Sequence, residues 1–174
     1  MKAVIIIAWQ GFQNREYAIP KQIMEKAGIA TTTASKNAGE CHGALGGTTI
    51  AELSLRDVAV SDFDIIMFVG GPGAVLYQHD AEAHRIACEA IEKKKLLTAI
   101  CIAPTILAYA GVLRGKKATV WNEDGQQDKV LTQHSAAYTG DDVTVDGNII
   151  TANGPGAAEK FGMKIIEVAA GRNS

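Results

Sequence analysis

The chain has 174 residues, a formal net charge of -2, and 47% hydrophobic against 21% charged residues. This length and balance are typical of a single soluble domain, here residues 1 to 174. No apolar stretch reaches the ~20 residues of a membrane span, and the one notable basic run is Lys93, Lys94 and Lys95. The sequence therefore predicts neither a membrane span nor binding to nucleic acid or anionic membranes.

The first part of the chain alternates strand and helix patterns. The predicted elements are a buried strand at 3 to 9, a helix at 15 to 28 and a strand at 29 to 35. Gly28 is expected to end the helix, and Pro20 indicates either a kink or the true start of that helix. A polar segment at 36 to 47 and a possible short strand, "TTIAEL", follow. The apolar N-terminus is thus predicted to be a core strand, not a secretory signal.

The same alternation continues to the end of the chain. The predicted elements are a strand at 63 to 71, an amphipathic helix at 80 to 95, a strand at 96 to 100, a helix from Pro104, a hairpin at 141 to 153 and a final helix. Alternating strands and helices indicate an α/β fold, a doubly wound and mainly parallel sheet with helices on both faces. The predicted hairpin adds a small antiparallel element to this mainly parallel sheet.

The cysteines and histidines form no recognisable ligand pattern. Cys41 in a loop, Cys88 on the apolar side of a helix and Cys101 make an odd number without C-x-x-C spacing. This pattern disfavours a disulfide scaffold and favours a reducing cytoplasm. His79 and His84 are five residues apart, which does not place two ligands on one helical face, so no metal site is predicted.

Cys101 lies where a predicted buried strand gives way to a helix. Ligands of such sheets bind beyond the carboxyl ends of the strands, which places Gly70, Gly71 and Cys101 on one rim. Backbone amides at a helix N-terminus favour a thiolate, and the amides of Ile102 and Gly71 are candidates for an oxyanion hole. The alternative is that Cys101 is a buried small hydrophobe.

Glu16 begins the first helix just after the first strand, so it belongs to the same rim. Next to a thiolate, desolvation and like charge raise the pKa of a carboxyl group, which suits a general acid or base near neutral pH. The alternative is a solvated glutamate that complements the helix dipole. The glycines of "GGPGA" and "NGPGAAEK" are interpreted as turns, since neither run has the spacing of a phosphate loop.

Three segments occur in the order and spacing of a known family: "FVGGPGA", "AICIAPTILAYAGVLRGKKAT" and "VDGNIITANGPGAAEKFGMKIIEVA". With Glu16 in "EYAIP", the chain resembles the ThiJ/PfpI superfamily, in particular its branch of parkinsonism-associated deglycases and their bacterial relatives. The resemblance implies a flavodoxin-like fold and a homodimer. It also implies a reactive cysteine at a nucleophile elbow, Cys101, with Glu16 as its acidic partner and the Gly71 amide facing it.

The resemblance implies several activities. Members are described as cofactor-free glyoxalases that convert methylglyoxal to lactate, as deglycases of early glycation adducts, as redox-responsive chaperones, or as peptidases. We expect a glyoxalase- or deglycase-like stress protein that acts on a small aldehyde or glycated substrate without a cofactor. The alternative is an oxidative-stress sensor in which Cys101 becomes a sulfinate stabilised by protonated Glu16.

Three positions depart from the family pattern. Ile102 stands where the peptidase branch has histidine, which removes the Cys-His pair needed to cleave amides. Trp121 replaces a histidine near the pocket, and Asn153 replaces an arginine. Trp121 and Asn153 are assigned, with Gly70, Gly71 and Ile102, to oxyanion or substrate binding. A glutamine-amidotransferase-like hydrolase is disfavoured, because His134 is the one later histidine and its surroundings lack that motif.

Overall fold

A seven-stranded sheet forms the centre of the structure, a computed structural model that describes residues 1 to 172. The strands of this part are β1 (Lys2–Ile6), β2 (Gln10–Phe12), β3 (Ala30–Ser35), β4 (Gly39–Gly43), β5 (Thr48–Ala51), β6 (Leu53–Ser54), β7 (Ile65–Phe68), β8 (Leu96–Ile100), β9 (Lys117–Ala118), β10 (Ala137–Tyr138), β11 (Val143–Asp146) and β12 (Ile149–Ala152). The helices are α1 (Asn14–Lys26), α2 (Ala81–Glu92), α3 (Pro104–Tyr109), α4 (Gln127–Gln133) and α5 (Ala158–Gly171).

The order of the strands gives the fold its type. The central sheet runs β11-β12-β8-β7-β1-β3-β6, and its pairs are parallel apart from the β11–β12 hairpin. Five of these strands lie side by side in the order β3-β1-β7-β8-β12. When these five are numbered by their order along the chain, the arrangement is 2-1-3-4-5, which is that of flavodoxin-like folds. The predicted doubly wound, mainly parallel sheet with a hairpin is therefore confirmed.

Helices cover both faces of the sheet because its strands carry apolar residues on both. Val4 and Ile6 of β1 pack in the core beneath α2 and α3, whereas Ile5 packs in the core beneath α1 and α5. Strands buried on both faces have nearly continuous apolar sequences, as β1, β7 and β8 do. In the described part of the chain, no helix has the length and apolar character needed to cross a membrane.

Several boundaries differ from the sequence-based expectation. Pro20 lies inside α1, which begins at Asn14, so it does not mark the helix start. The polar segment 36 to 47 contains β4, which pairs with β2 and β5 in a small separate sheet. Cys41 lies in β4 and is buried, so its assignment to a loop is wrong. Its polar neighbours concealed this strand from an apolar-pattern search.

The strand order also positions the site. The sheet order reverses direction between β1 and β7, and ligands of such sheets bind at this switch point, beyond the carboxyl ends of the strands. The chain leaves β1 towards α1, leaves β7 at Val69 and leaves β8 at Cys101. Three segments from distant parts of the chain therefore meet at one edge.

Packing of α1 against α5 gives a test of this arrangement. A Cβ atom on Gly162 would lie 2.8 Å from Ile23 Cδ1 and 3.1 Å from the Pro20 Cα. We expect Gly162→Val to lower the free energy of unfolding by about 2 kcal/mol, because the added methyl groups overpack this contact. Exposed Met163 supplies the matched control, Met163→Val, with a change within about 0.5 kcal/mol. Urea unfolding of both variants would measure this, and equal midpoints would contradict the packing.

Candidate active site

Cys101 occupies the corner between β8 and α3 in an unusual backbone conformation. Its φ is 63°, a left-handed value that non-glycine residues rarely adopt and that costs about 1 kcal/mol or more. Both of its backbone groups are held: the amide donates to the Ala152 carbonyl at 2.9 Å, and the carbonyl accepts from the Trp121 amide at 2.8 Å. These two bonds, to β12 and to the loop after β9, keep the corner in its strained form.

Glu16 is buried beside this corner. The side chain of Gln13 caps α1 by accepting from the amides of Arg15 and Glu16, at 2.6 Å and 3.3 Å. Glu16, in the first turn, is 0% exposed, so the alternative of a solvated glutamate is wrong. Its Oε2 accepts from the Gly70 amide at 3.1 Å, and Oε1 has no conventional hydrogen-bond partner among the described residues. The carboxyl interacts with the Cys101 thiol.

Gly70 allows the two side chains to meet. A Cβ atom at this position would lie 2.6 Å from the Cys101 Cβ, 2.6 Å from Glu16 Oε2 and 2.8 Å from the Ile100 carbonyl oxygen. Any other residue would therefore displace the thiol or the carboxyl. Gly71 follows with a φ of 100°, a conformation that disfavours side chains.

Burial dominates the electrostatics of the pair. It raises the pKa of Glu16 to about 7, against the lowering effect of hydrogen bonds with Cys101 and Gly70. Burial, followed by the negative charge of Glu16, raises the pKa of the Cys101 thiol to about 12, although the Gly71 and Ile102 amides hydrogen-bond the sulfur and lower it. The acid is thus poised near neutrality, while the sulfur stays protonated.

The expectation that backbone dipoles ionise Cys101 is therefore wrong. α3 is six residues long and begins three positions later, at Pro104, so its N-terminus is not at the sulfur. The two amides that do contact the sulfur are outweighed by burial and by Glu16. With Glu16 ionised, the pair holds one proton on sulfur, and the adjacent carboxylate is the group able to accept it.

A cleft of about 420 Å³ opens onto the pair. Its lining includes the predicted residues Glu16, Gly71, Cys101, Ile102 and Trp121. Gly70, which was also assigned to substrate or oxyanion binding, is not part of the lining, and its amide donates to Glu16 Oε2 instead.

Asn153 belongs to a different surface. It lines an adjoining cleft of about 380 Å³, which shares Trp121 with the first. Its side-chain amide donates to Asp142 Oδ1 at 3.4 Å. The structure therefore does not bring Asn153 together with Cys101.

Part of the cleft lining was not predicted from the sequence. Gln13, Asp124 and Gln127 supply polar atoms to its lining. Gln13 had a weak signal, since it lies two residues before the first predicted helix, near the position of a helix cap. Asp124 lies in the loop before α4, and Gln127 begins that helix, which was not predicted. The one sequence signal in this segment is an Asp-Gly turn at 124 to 125.

Cys41 and Cys88 are outside the cleft lining, and all three cysteines are free. Among residues 1 to 172, no group of three or more His, Cys, Asp or Glu side chains is arranged to hold a metal ion. The chemistry on which this site can draw is that of a thiol, a carboxyl group and backbone amides.

Fold and site together define a flavodoxin-like α/β protein with a cysteine corner above a buried acid. The chain belongs to the DJ-1/PfpI family, whose sequence pattern matches residues 1 to 168. A ThiJ/PfpI domain protein from Brachyspira murdochii has a similar crystal structure, with a TM-score of 0.93, 29% identity, and coverage of 98% of this chain and 96% of that one. Drosophila melanogaster protein dj-1beta is 33% identical over 98% of this chain and 91% of its own.

Other relatives have names that state different activities. A Caenorhabditis elegans relative is named a glutathione-independent glyoxalase and is 25% identical, over 97% of this chain and 89% of its own. A Thermococcus kodakarensis relative is named a deglycase and is 29% identical, over 88% of this chain and 90% of its own. A Bacillus subtilis relative is named as a candidate cysteine protease and is 30% identical, over 92% of this chain and 94% of its own. Membership of the family therefore does not by itself specify the reaction.

The raised pKa of Glu16 makes folding stability depend on pH. Protonated Glu16 favours the folded state below its unfolded pKa of 4.5, and this advantage disappears as pH rises through about 7. Because Glu16 is ionised in the folded state at pH 8, the free energy of unfolding should be about 3 kcal/mol lower at pH 8 than at pH 4. We expect Glu16→Gln to remove most of this pH dependence in urea unfolding. Exposed Glu159 supplies the control: if Glu159→Gln flattened the profile equally, Glu16 would not be its source.

Proposed function

We propose that this protein is a cofactor-free, cysteine-dependent glyoxalase or deglycase that acts on 2-oxoaldehydes or early glycation adducts. The observation that carries the proposal is the burial of the Glu16 carboxyl against the Cys101 thiol, with a pKa of about 7, at the base of an open cleft. A base with this pKa is matched to proton transfer at neutral pH. The relatives named as a glyoxalase and a deglycase support the same reading.

The first step is addition of the sulfur to the aldehyde carbon. Ionised Glu16 takes the thiol proton as the sulfur–carbon bond forms, which overcomes the raised pKa of Cys101. The aldehyde oxygen gains the electron pair and takes the proton from Glu16, which gives the hydroxyl of a hemithioacetal and returns Glu16 to its ionised form. The Gly71 and Ile102 amides, which already contact the sulfur, are the donors closest to this developing charge.

The second step is an internal rearrangement. Glu16 removes the proton from the former aldehyde carbon, and the neighbouring carbonyl carbon receives a proton in return. The first carbon is oxidised and the second reduced, so no external oxidant or reductant takes part. The resulting thioester is hydrolysed by water to a 2-hydroxy acid, and Cys101 regains its proton. On a glycated substrate, the same groups would release the repaired amine.

Two further expectations extend from the family. We propose that the protein works as a homodimer, since β5 and the turn before it in the small sheet expose the large apolar residues Leu45 and Ile50. We also propose a cytoplasmic location, which the three free cysteines support because disulfides are rare in reducing compartments.

Peptidase activity is not proposed, despite the name of the Bacillus subtilis relative. Ile102 follows the cysteine, and no histidine lines the cleft within the described chain. The imidazole that would activate the nucleophile and protonate a leaving amine is therefore absent from this site.

Lactate formation from methylglyoxal tests the proposal. We expect Cys101→Ala to abolish it and Glu16→Gln to lower kcat at least 100-fold, because the nucleophile or its base is lost. kcat/KM of the unmodified protein should rise about tenfold per pH unit up to about pH 7 and level off above it, since the ionised carboxylate is the active form.

Cys88→Ala is the matched control, because this cysteine lies in α2, outside the cleft, and should leave the rate unchanged. Absence of lactate formation by the unmodified protein would refute the proposal. So would activity that persists in Cys101→Ala, or a rate that falls as pH rises from 5 to 7.

A redox sensor is the second candidate, and the partnerless Oε1 of Glu16 favours it. A protonated Oε1 would be available to donate to an oxygen of a Cys101 sulfinate. We expect intact mass after mild peroxide treatment to show two added oxygen atoms, located on Cys101 by peptide mapping and lost in Cys101→Ala. Oxygen found on Cys41 or Cys88 instead of Cys101 would contradict this role.

A further inference from the structure

The cleft above Cys101 is far larger and more apolar than methylglyoxal requires. Its wall consists mainly of Pro72, Val75, Ile102, Trp121 and Pro155. A volume of about 420 Å³ falls in the range of pockets that enclose ligands much larger than a three-carbon aldehyde. A substrate whose substituent is a methyl group would leave most of this apolar wall in contact with water, and would therefore gain little from it.

The side chains that can carry a full charge in the cleft lining are all acidic. The ionisable side chains in its lining, other than Cys101, are the carboxyl groups of Glu16 and Asp124. No lysine, arginine or histidine lines it in the described part of the chain. A substrate with a carboxylate or phosphate group would meet two acidic groups and no cation, which disfavours anionic aldehydes.

Trp121 is the largest apolar element of the wall and is fixed relative to the sulfur. Its amide donates to the Cys101 carbonyl at 2.8 Å, so the residue cannot shift without disturbing the strained corner. Its ring lies near the turn after β12, where a Cβ added to Gly154 would be 3.7 Å from Trp121 Cδ1. An indole on the wall of a cleft is suited to pack against another aromatic ring.

We propose that this cleft selects uncharged 2-oxoaldehydes with an aromatic or bulky apolar substituent, and that Trp121 determines this specificity. The inference rests on the proposed function and names its substrate class. The representative substrate is phenylglyoxal, which with one water gives mandelate by the same addition, rearrangement and hydrolysis. The substituent packs on Trp121 while the aldehyde carbon reaches Cys101. The product is a carboxylate, which Glu16 and Asp124 repel, and this repulsion favours its release.

Initial rates of 2-hydroxy acid formation test the selectivity. We expect kcat/KM for phenylglyoxal to exceed that for methylglyoxal at least tenfold, a ratio within reach of an apolar pocket. For 4-carboxyphenylglyoxal, which has the same ring with a negative charge, kcat/KM should be at least tenfold below that for phenylglyoxal. Asp124→Asn should recover part of this loss, because it removes one of the two acidic groups.

Variants of the two tryptophans assign the effect. Trp121→Ala should reduce the phenylglyoxal-to-methylglyoxal ratio at least tenfold, whereas Trp121→Phe, which keeps an aromatic ring, should retain most of it. Trp9 is exposed and outside the cleft lining, so Trp9→Ala should leave the ratio unchanged. A ratio near one in the unmodified protein would overturn the proposal, as would equal losses on both substrates in Trp121→Ala.

A binding measurement separates this inference from the proposed function. In Trp9→Phe, Trp121 is the one remaining tryptophan, and acetophenone, which has no aldehyde, should quench its fluorescence with saturation. Methylglyoxal turnover without a preference for phenylglyoxal would refute the specificity and leave the function intact. Saturable acetophenone binding without turnover of either aldehyde would refute the function and keep the apolar site. Absence of both would refute the two proposals together.

Discussion

The Glu16 carboxyl and the Cys101 thiol, two groups whose ionised forms are best solvated by water, are buried together. They fit side by side because Gly70, which packs against both, has no side chain. Neither is neutralised by a cation, so the carboxyl is ionised with difficulty and the thiol with more. The fold sustains this cost because α1, β7 and β8 are each fixed by a large apolar core. What results is a carboxyl group with a pKa of about 7 beside a thiol whose pKa is raised to about 12.

Much of this arrangement was predictable from the sequence. Apolar runs located β1, β7 and β8, and the bounds of β8 agree at both ends with the prediction. Alternation of strands and helices then indicated a parallel sheet, and the rule for such sheets placed Cys101 and Glu16 on the same rim. These inferences succeed because they depend on burial patterns and connectivity, which a sequence displays directly.

What the sequence did not show depends on contacts between distant segments. The pKa of Cys101 depends on how deeply the sulfur is buried and on a charge supplied by another element, and neither is visible in the residues around position 101. Asp124 enters the cleft from the loop before α4, and Gln127 enters it from the first residue of that helix; the sequence around both has no periodic pattern. Asn153 precedes the turn after β12 and was expected at the cleft, yet its side chain bonds Asp142 on the other side.

The hydrogen bond from the Cys101 amide to the Ala152 carbonyl joins the cysteine corner to the hairpin of β11 and β12 at one edge of the sheet. β12 belongs both to that hairpin and to the parallel sheet, where it pairs with β8. Edge hairpins tolerate exchange of their turns and outer residues better than central strands do. A substitution in this hairpin therefore has a direct mechanical route to the backbone of Cys101, while the side chains of the site stay the same.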